Sequence, residues 1–290
     1  MSEQVCKADM GGDGAAGVDM CGYPVETTGN AVLDILEHRS SARAFARDDD
    51  DRPVAVTDEQ RAAILHAASR APSAGAMMMY SIVSICEQAT LDRLADLCDH
   101  QPMIAKAPWA LIFVVDYAKW IDLFDRVGCF EPEFVERTGK SPRRAPGLGD
   151  FAIAAQDAVI AAQNAVVAAE ALGLGSCYIG DVVENAEEVA ELLDLPPYTM
   201  PLSMLIIGTP RKERPAIAHP VVNLVHEERY CRADAATMDA QVAEMDAMFR
   251  PHAREVGERV VDIYTRKHTS PFMAEMGRSM EWWFKNWLGK

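Results

Sequence analysis

An α/β or α+β class with a mixed sheet is predicted by three observations. Strand-like and helix-like segments alternate along most of the chain. A long Ala-rich helix is predicted over Phe151–Leu172, a stretch without Pro or Gly and built of strong helix formers. Segments at Trp109–Asp116 and Pro201–Ile207 read as strands.

Bulk properties bound the rest. At 290 residues and 49% apolar content, the chain suffices for one generous domain with terminal arms. A formal charge of −16 opposes encounter with nucleic acid or an anionic membrane surface, so neither is expected as a partner. Residues 1–24 lack the apolar core of a secretory leader, being broken by Lys7, Asp9, Asp13 and Asp19. The seven cysteines are scattered without C-x-x-C spacing, which fits free thiols in a reducing cytoplasm.

Taken in order, residues 1–28 are rich in Gly, Asp and Ala and read as a flexible N-terminal arm. A helix from about Thr28 to His38 carries Val32, Ile35 and Leu36 on one face, and an acidic loop follows at Asp48–Asp51. Thr57-Asp-Glu-Gln60 is a capping box opening a helix that ends before Pro72. Tyr80–Cys86 reads as a strand, Thr90–Cys98 as a helix and Trp109–Asp116 as a strand. Residues 117–149 hold four Gly and three Pro and read as an irregular lid or interface excursion.

The polar residues of the central helix, Gln156, Gln163, Glu170 and Asp157, Asn164, form two adjacent stripes. Everything else on it is apolar, so it needs neighbours on nearly every side, which points to a helix shared between two subunits. Its charges argue against a membrane span, since each ionised residue near a bilayer centre costs about 2.5–3.5 kcal/mol. Gly173 supplies a left-handed stop, and Ser176–Gly180 reads as a short strand. Asn185–Leu193 is a short helix, Pro201–Ile207 a strand, and Arg211–His219 a basic loop. Two further helices are predicted, an amphipathic Ala235–Phe249 and Pro271–Leu288, whose Trp282, Trp283 and Trp287 read as docking anchors.

Two short segments have the chemistry to hold an anionic, flat ligand. Arg39-Ser40-Ser41-Ala42-Arg43 sets two guanidinium groups and two hydroxyls within five residues. Ala71-Pro72-Ser73-Ala74-Gly75-Ala76 is a loop of small residues whose amides can approach a ligand closely, and the Met77-Met78-Met79 that follows suits either an apolar pocket or the core. The chain has no G-x-S-x-G, H-E-x-x-H or dinucleotide glycine fingerprint, and its seven His residues show no metal-ligand spacing. An enzyme without a nucleophile or metal of its own needs a cofactor.

In this order and spacing, the segments resemble the nitroreductase family of FMN-dependent oxidoreductases. The likeness rests on Arg39–Phe45, Ala71–Gly75, Gln101 before Ile104–Pro108, Ala154-Ala-Gln through Leu172-Gly-Leu-Gly-Ser-Cys-Tyr-Ile-Gly180, Leu195-Pro196, Ile206–Pro210 and Val225-His226-Glu227. It covers roughly residues 30–232, and the tail with Phe272–Ser279 looks like the larger flavin-reductase subgroup. The resemblance implies an α+β fold, with a mixed central sheet flanked by helices and the long helix buried at a homodimer interface. It implies an FMN-binding domain at 29–232 and a helical extension at 233–290 that wraps the partner. It also implies hydride transfer from NAD(P)H through flavin N5 to a nitroaromatic, quinone or flavin in a ping-pong cycle. Reductive dehalogenation or dehydrogenation of a metabolite, and flavin binding without turnover, are the alternatives.

Carried over residue by residue, Arg39, Ser40, Ser41 and Arg43 meet FMN, with Arg43 near the pyrimidine edge, where its charge stabilises the reduced flavin. Ser73, Ala74 and Gln101 approach from the other subunit. Tyr178, Ile179, Gly180 and Asp181 lie along the ring, the Gly180 amide facing N5. Lys212 and Arg214 are candidates for the phosphate-binding pair, although counting back from Val225-His226 places that pair nearer Ala216–Ala218. Two departures stand out. Ala76–Met79 lacks the Gln or Asn that is frequent there, which makes the pocket more apolar. Ser40 replaces a common basic residue, which leaves one fewer phosphate partner.

Overall fold

The core is organised on one strand whose eight residues are all buried, Trp109–Asp116. A computed structural model describes residues 29–140, 143–212 and 222–289. Within it, Tyr80–Ile85 is β1, Trp109–Asp116 is β2, Gly175–Ile179 is β3 and Thr199–Gly208 is β4. The sheet order is β1-β2-β4-β3. Period-two alternation sends Ala110, Ile112 and Val114 into one hydrophobic core and Trp109, Leu111, Phe113 and Val115 into a second on the opposite face. The α+β class is therefore as expected. Every pairing among the described strands is antiparallel, however, so the parallel component expected of a mixed sheet is not among them.

In chain order the helices are α1 Ala31–His38, α2 Asp58–Ser69, α3 Gln88–Leu97, α4 Pro102–Ala105, α5 Ala118–Arg126, α6 Pro132–Thr138, α7 Leu148–Ala171, α8 Ala186–Leu192, α9 Ala235–Phe249, α10 Glu258–Ile263 and α11 Pro271–Trp287. The expected capping box opens α2. Thr57 Oγ1 accepts from Gln60 N at 3.2 Å, and Gln60 Oε1 accepts from Thr57 N at 3.1 Å.

The reading of 117–149 as irregular is corrected by α5 and α6. Two of the residues taken as breakers are helix punctuation. Pro132 stands in the first turn of α6, where a missing N–H costs nothing, and Gly139 ends it in the left-handed conformation at φ 64°. Helix α5 is anchored by buried Ile121, and its Trp120 Nε1 donates to Met77 O at 2.9 Å. Helix α9 has the expected bounds, but the one side chain it buries is Glu244 rather than an apolar stripe.

Two compact units emerge. Among the described residues, one comprises 29–38 with 222–270, and the other 39–140, 143–212 and 271–289. The expected 233–290 extension is thus divided, with α11 belonging to the unit that holds the sheet. Trp283 and Trp287 are fully buried in that unit. Their indole N–H groups donate to Val183 O at 2.9 Å and Gly147 O at 3.1 Å, so these anchors dock on their own chain.

Helix α7 lies on the second core, burying Ala154, Ala158, Ala161, Ala162, Ala165, Val166 and Ala169. Ile153, Val159 and Ile160 are 44%, 48% and 38% exposed on the side that Ala152 and Gln156 share, an apolar face left uncovered by the described residues. The helix is long and apolar enough to cross a membrane by composition, but its buried side packs on the sheet.

Candidate functional site

The Arg39–Phe45 segment is stitched to the open edge of the sheet. Ala42 N donates to Ser176 O on β3 at 2.8 Å, Ala46 N to Thr209 O at 2.8 Å, and Arg211 N returns a bond to Ala44 O at 3.0 Å. Phe45 is seated over Gly208, where a Cβ would stand 2.8 Å from the Phe45 ring and 2.7 Å from Pro108, so no larger residue fits. This anchoring turns Ser40 and Ala42 inward, leaves Arg39 and Ser41 half-buried and sends Arg43 to solvent. Ser40 is 5% exposed, yet neither its Oγ nor the buried Nε of Arg39 has a hydrogen-bond partner among the described residues. Unpartnered polar atoms of this kind are costly unless a ligand satisfies them.

The end of β3 completes this side. The Tyr178 hydroxyl donates to Gln163 Oε1 of α7 at 3.3 Å. Desolvation of the phenol pushes its pKa up to about 12, and the nearby Arg39 charge opposes that rise. The Ile179 side chain is only 1% exposed and belongs to the core, so only its backbone can lie along a ligand. Gly180 is exposed, and a Cβ built on it would meet nothing within 4 Å. Asp181 Oδ2 accepts from Gln101 Nε2 at 2.6 Å, which brings Gln101 to the Gly180 end of the sheet in the same chain. Behind this pair the buried thiol of Cys98 is pushed far up by burial, with Asp181 and Glu184 adding to the rise.

The Ser73–Met79 loop is elsewhere. It precedes β1, at the sheet edge opposite β3, and is tied to α7 by Asp157, which is only 2% exposed. Asp157 Oδ1 accepts from Ala74 N at 2.9 Å and Oδ2 from Met79 N at 3.2 Å. Ser73 Oγ accepts from Met78 N at 3.2 Å. Ala76 and Met78 have positive φ, at 54° and 49°, which stores strain in a loop held at both ends, while Gly75 adopts 57° without it. The methionine run divides: Met79 joins the core and Met78 is exposed.

The structure therefore gathers Arg39, Ser40, Ser41, Arg43, Gln101, Tyr178, Gly180 and Asp181 on the β3 side and leaves Ser73 and Ala74 apart from them. Three inter-strand steps of about 4.8 Å make a lateral separation of about 14 Å. Lys212 is exposed, and Arg214 lies outside the described residues. Asp157 and Gly208 were not singled out as site residues by sequence reasoning. For Asp157 the signal was an ionised residue on an otherwise apolar helix; for Gly208 it was a glycine closing a strand.

A model of the nitroreductase family matches residues 36–209. The FMN reductase [NAD(P)H] of Bacillus subtilis is 32% identical over 73% of this chain and 79% of its own length. The oxygen-insensitive NADPH nitroreductase of Salmonella typhimurium is 32% identical over 73% and 81%. Among solved structures, the NADPH:FMN oxidoreductase from Vibrio harveyi complexed with NAD+ is 26% identical, with a TM-score of 0.64 over 86% of this chain and 98% of that one. The chain belongs to the nitroreductase family.

Proposed function

We propose that this protein is an FMN-dependent NAD(P)H oxidoreductase that works as a homodimer, passing hydride to a small acceptor in a ping-pong cycle. The observation that carries the reading is the pair of orphaned buried polar atoms, Arg39 Nε and Ser40 Oγ, on the segment bonded to β3, the strand that leads to exposed Gly180. A flat ring with an anionic tail satisfies both features: donors for the anion and a bare backbone for the ring. The relatives named for FMN, NADPH and flavin reduction point the same way.

Arg39, Ser40 and Ser41 hold the anionic portion, and Arg43 offers positive charge to the pyrimidine side. When bound, FMN supplies the hydride-accepting and hydride-donating atom, so the protein needs no nucleophile of its own. Gly180 keeps that surface free of side chains, and Gln101 fixes one ring edge. The acceptor takes the place of the nicotinamide, and nitroaromatics, quinones and flavins are the classes proposed.

The dimer reading is supported by two features. The Ser73–Met79 loop sits across the sheet from Arg39–Arg43, so one copy's loop and another copy's arginines are needed to enclose one ring. The apolar face of Ile153, Val159 and Ile160 is left exposed by the described residues. Since α11 is committed to its own core, partner wrapping falls to 233–270. The free thiols of Cys86, Cys98, Cys129 and Cys177 suit a reducing, cytoplasmic setting.

The test is reconstitution with FMN followed by anaerobic titration with NADH and NADPH. Bound yellow flavin that bleaches with either nicotinamide and recolours with a quinone is expected. A colourless protein after reconstitution overturns the proposal.

A further inference from the structure

We infer that Asp181 is a positioning residue that sets the polarity of the Gln101 carboxamide, so that the site presents a hydrogen-bond acceptor to the imide N–H of the flavin ring. This rests on the FMN reading and assigns Asp181 a task within it. The geometry is a 2.6 Å contact between Gln101 Nε2 and Asp181 Oδ2. An ionised carboxylate only accepts, so the amide end facing it must be the NH2 group. A glutamine with two equivalent partners can flip, but one bonded to a carboxylate cannot without placing two oxygens in contact. Gln101 Oε1 is thereby turned away from Asp181, and it receives no hydrogen bond from any described residue.

Both partners are held in place. Gln101 N donates to Ala95 O at 2.9 Å, and Gln101 O accepts from Ile104 N at 3.1 Å, so the backbone under the amide is fixed. Asp181 opens a helical turn over Asp181–Val183, and its carbonyl accepts from Glu184 N at 3.0 Å. Val182 and Val183 are buried beneath, and the Trp283 indole of α11 locks Val183 O. The acceptor is therefore preorganised next to exposed Gly180 before any ligand arrives. In oxidised FMN the one ring N–H is the imide N3–H, so this is the only ring donor Gln101 Oε1 can take. A ring methylated at that nitrogen has nothing to offer it and meets steric opposition as well.

The experiment measures FMN and N3-methyl-FMN dissociation constants by flavin fluorescence for wild type, Asp181→Asn and Gln101→Met. In wild type, N3-methylation is expected to weaken binding roughly tenfold, the scale of one hydrogen bond. In Asp181→Asn the amide is free to turn, and the penalty should shrink to about two- to threefold. Gln101→Met should also lose discrimination, which keeps the inference testable if the Asn variant misfolds. The ratio of the two constants isolates this task from general loosening, because a merely structural loss weakens both ligands alike. An equal N3-methyl penalty in wild type and Asp181→Asn overturns the inference and leaves the FMN reading standing. Wild type that binds neither flavin overturns both.

Discussion

Single side chains decide how the site is held. Asp157 is a buried acceptor shared by two amides of the Ser73–Met79 loop. Asp157→Asn turns an N–H toward one of those amides and leaves it unmet, at a cost of about 1–3 kcal/mol. Limited proteolysis should then cut within residues 73–79 before anywhere in the sheet. A loop as resistant as wild type would show that the carboxylate is not its tether. Gly208→Ala drives a methyl into Phe45 and Pro108, and about 1–3 kcal/mol of overpacking should appear as a lowered denaturation midpoint. Because Phe45 seats the arginine segment, FMN affinity should fall with it. Tyr178 gives a pH signature. Its folded pKa of about 12 lies above the ordinary value of 10.0, so its contribution is present below pH 10 and lost as pH climbs through about 12. Ultraviolet titration should lose one late-ionising tyrosinate in Tyr178→Phe, while Tyr80 and Tyr117, which burial also pushes up, still ionise late. At this scale the sequence was partly legible. The Arg39–Arg43 segment stands out by the types of its groups, whereas the use of Asp157 depends on a fold that brings residues 74 and 79 to α7, which no local pattern encodes.

At the scale of elements, legibility followed burial. Strand β2 and the capped α2 were readable because continuous apolar burial and a local Thr57–Gln60 exchange leave marks in adjacent residues. Helices α5 and α6 were missed because their Gly and Pro stand at helix ends, where those residues favour termination and initiation rather than irregular chain. Helix α11 carries its own prediction. The Arg278 guanidinium holds the Glu275 carboxyl down at about 2, with Ser279 and the Asn185 N–H also bonded to it and burial opposing. A depressed acid stabilises above its ordinary value of 4.5 and loses that contribution as pH falls through about 2. Near-ultraviolet dichroism of Trp283 and Trp287 should therefore persist down to pH 4.5 and decline only in stronger acid. Arg278→Ala should move that decline toward pH 4.5. An unshifted decline would mean that the tryptophans alone hold the helix.

For the whole molecule, the governing fact is that Ser73 and Ala74 lie at the β1 edge of the sheet, opposite the rest of the expected site at the β3 edge. A tricyclic ring bridging about 14 Å within one chain would have to cross the strands between the edges, which the packed cores on both faces forbid. Two copies remove the conflict if α7 is their common wall, and the apolar face of Ile153, Val159 and Ile160 is where the described residues leave that wall exposed. Carboxylates introduced there by Val159→Glu with Ile160→Glu stay solvated in a lone chain, so folding should survive while pairing fails. Sedimentation should then give a single chain with wild-type dichroism, and FMN affinity should fall at least tenfold, because the Ser73–Met79 loop of a second copy no longer closes the ring against Arg39 and Arg43. If the double variant sediments as one chain and still binds FMN as tightly as wild type, the ring is held within a single copy and the Ser73 loop has no part in binding it.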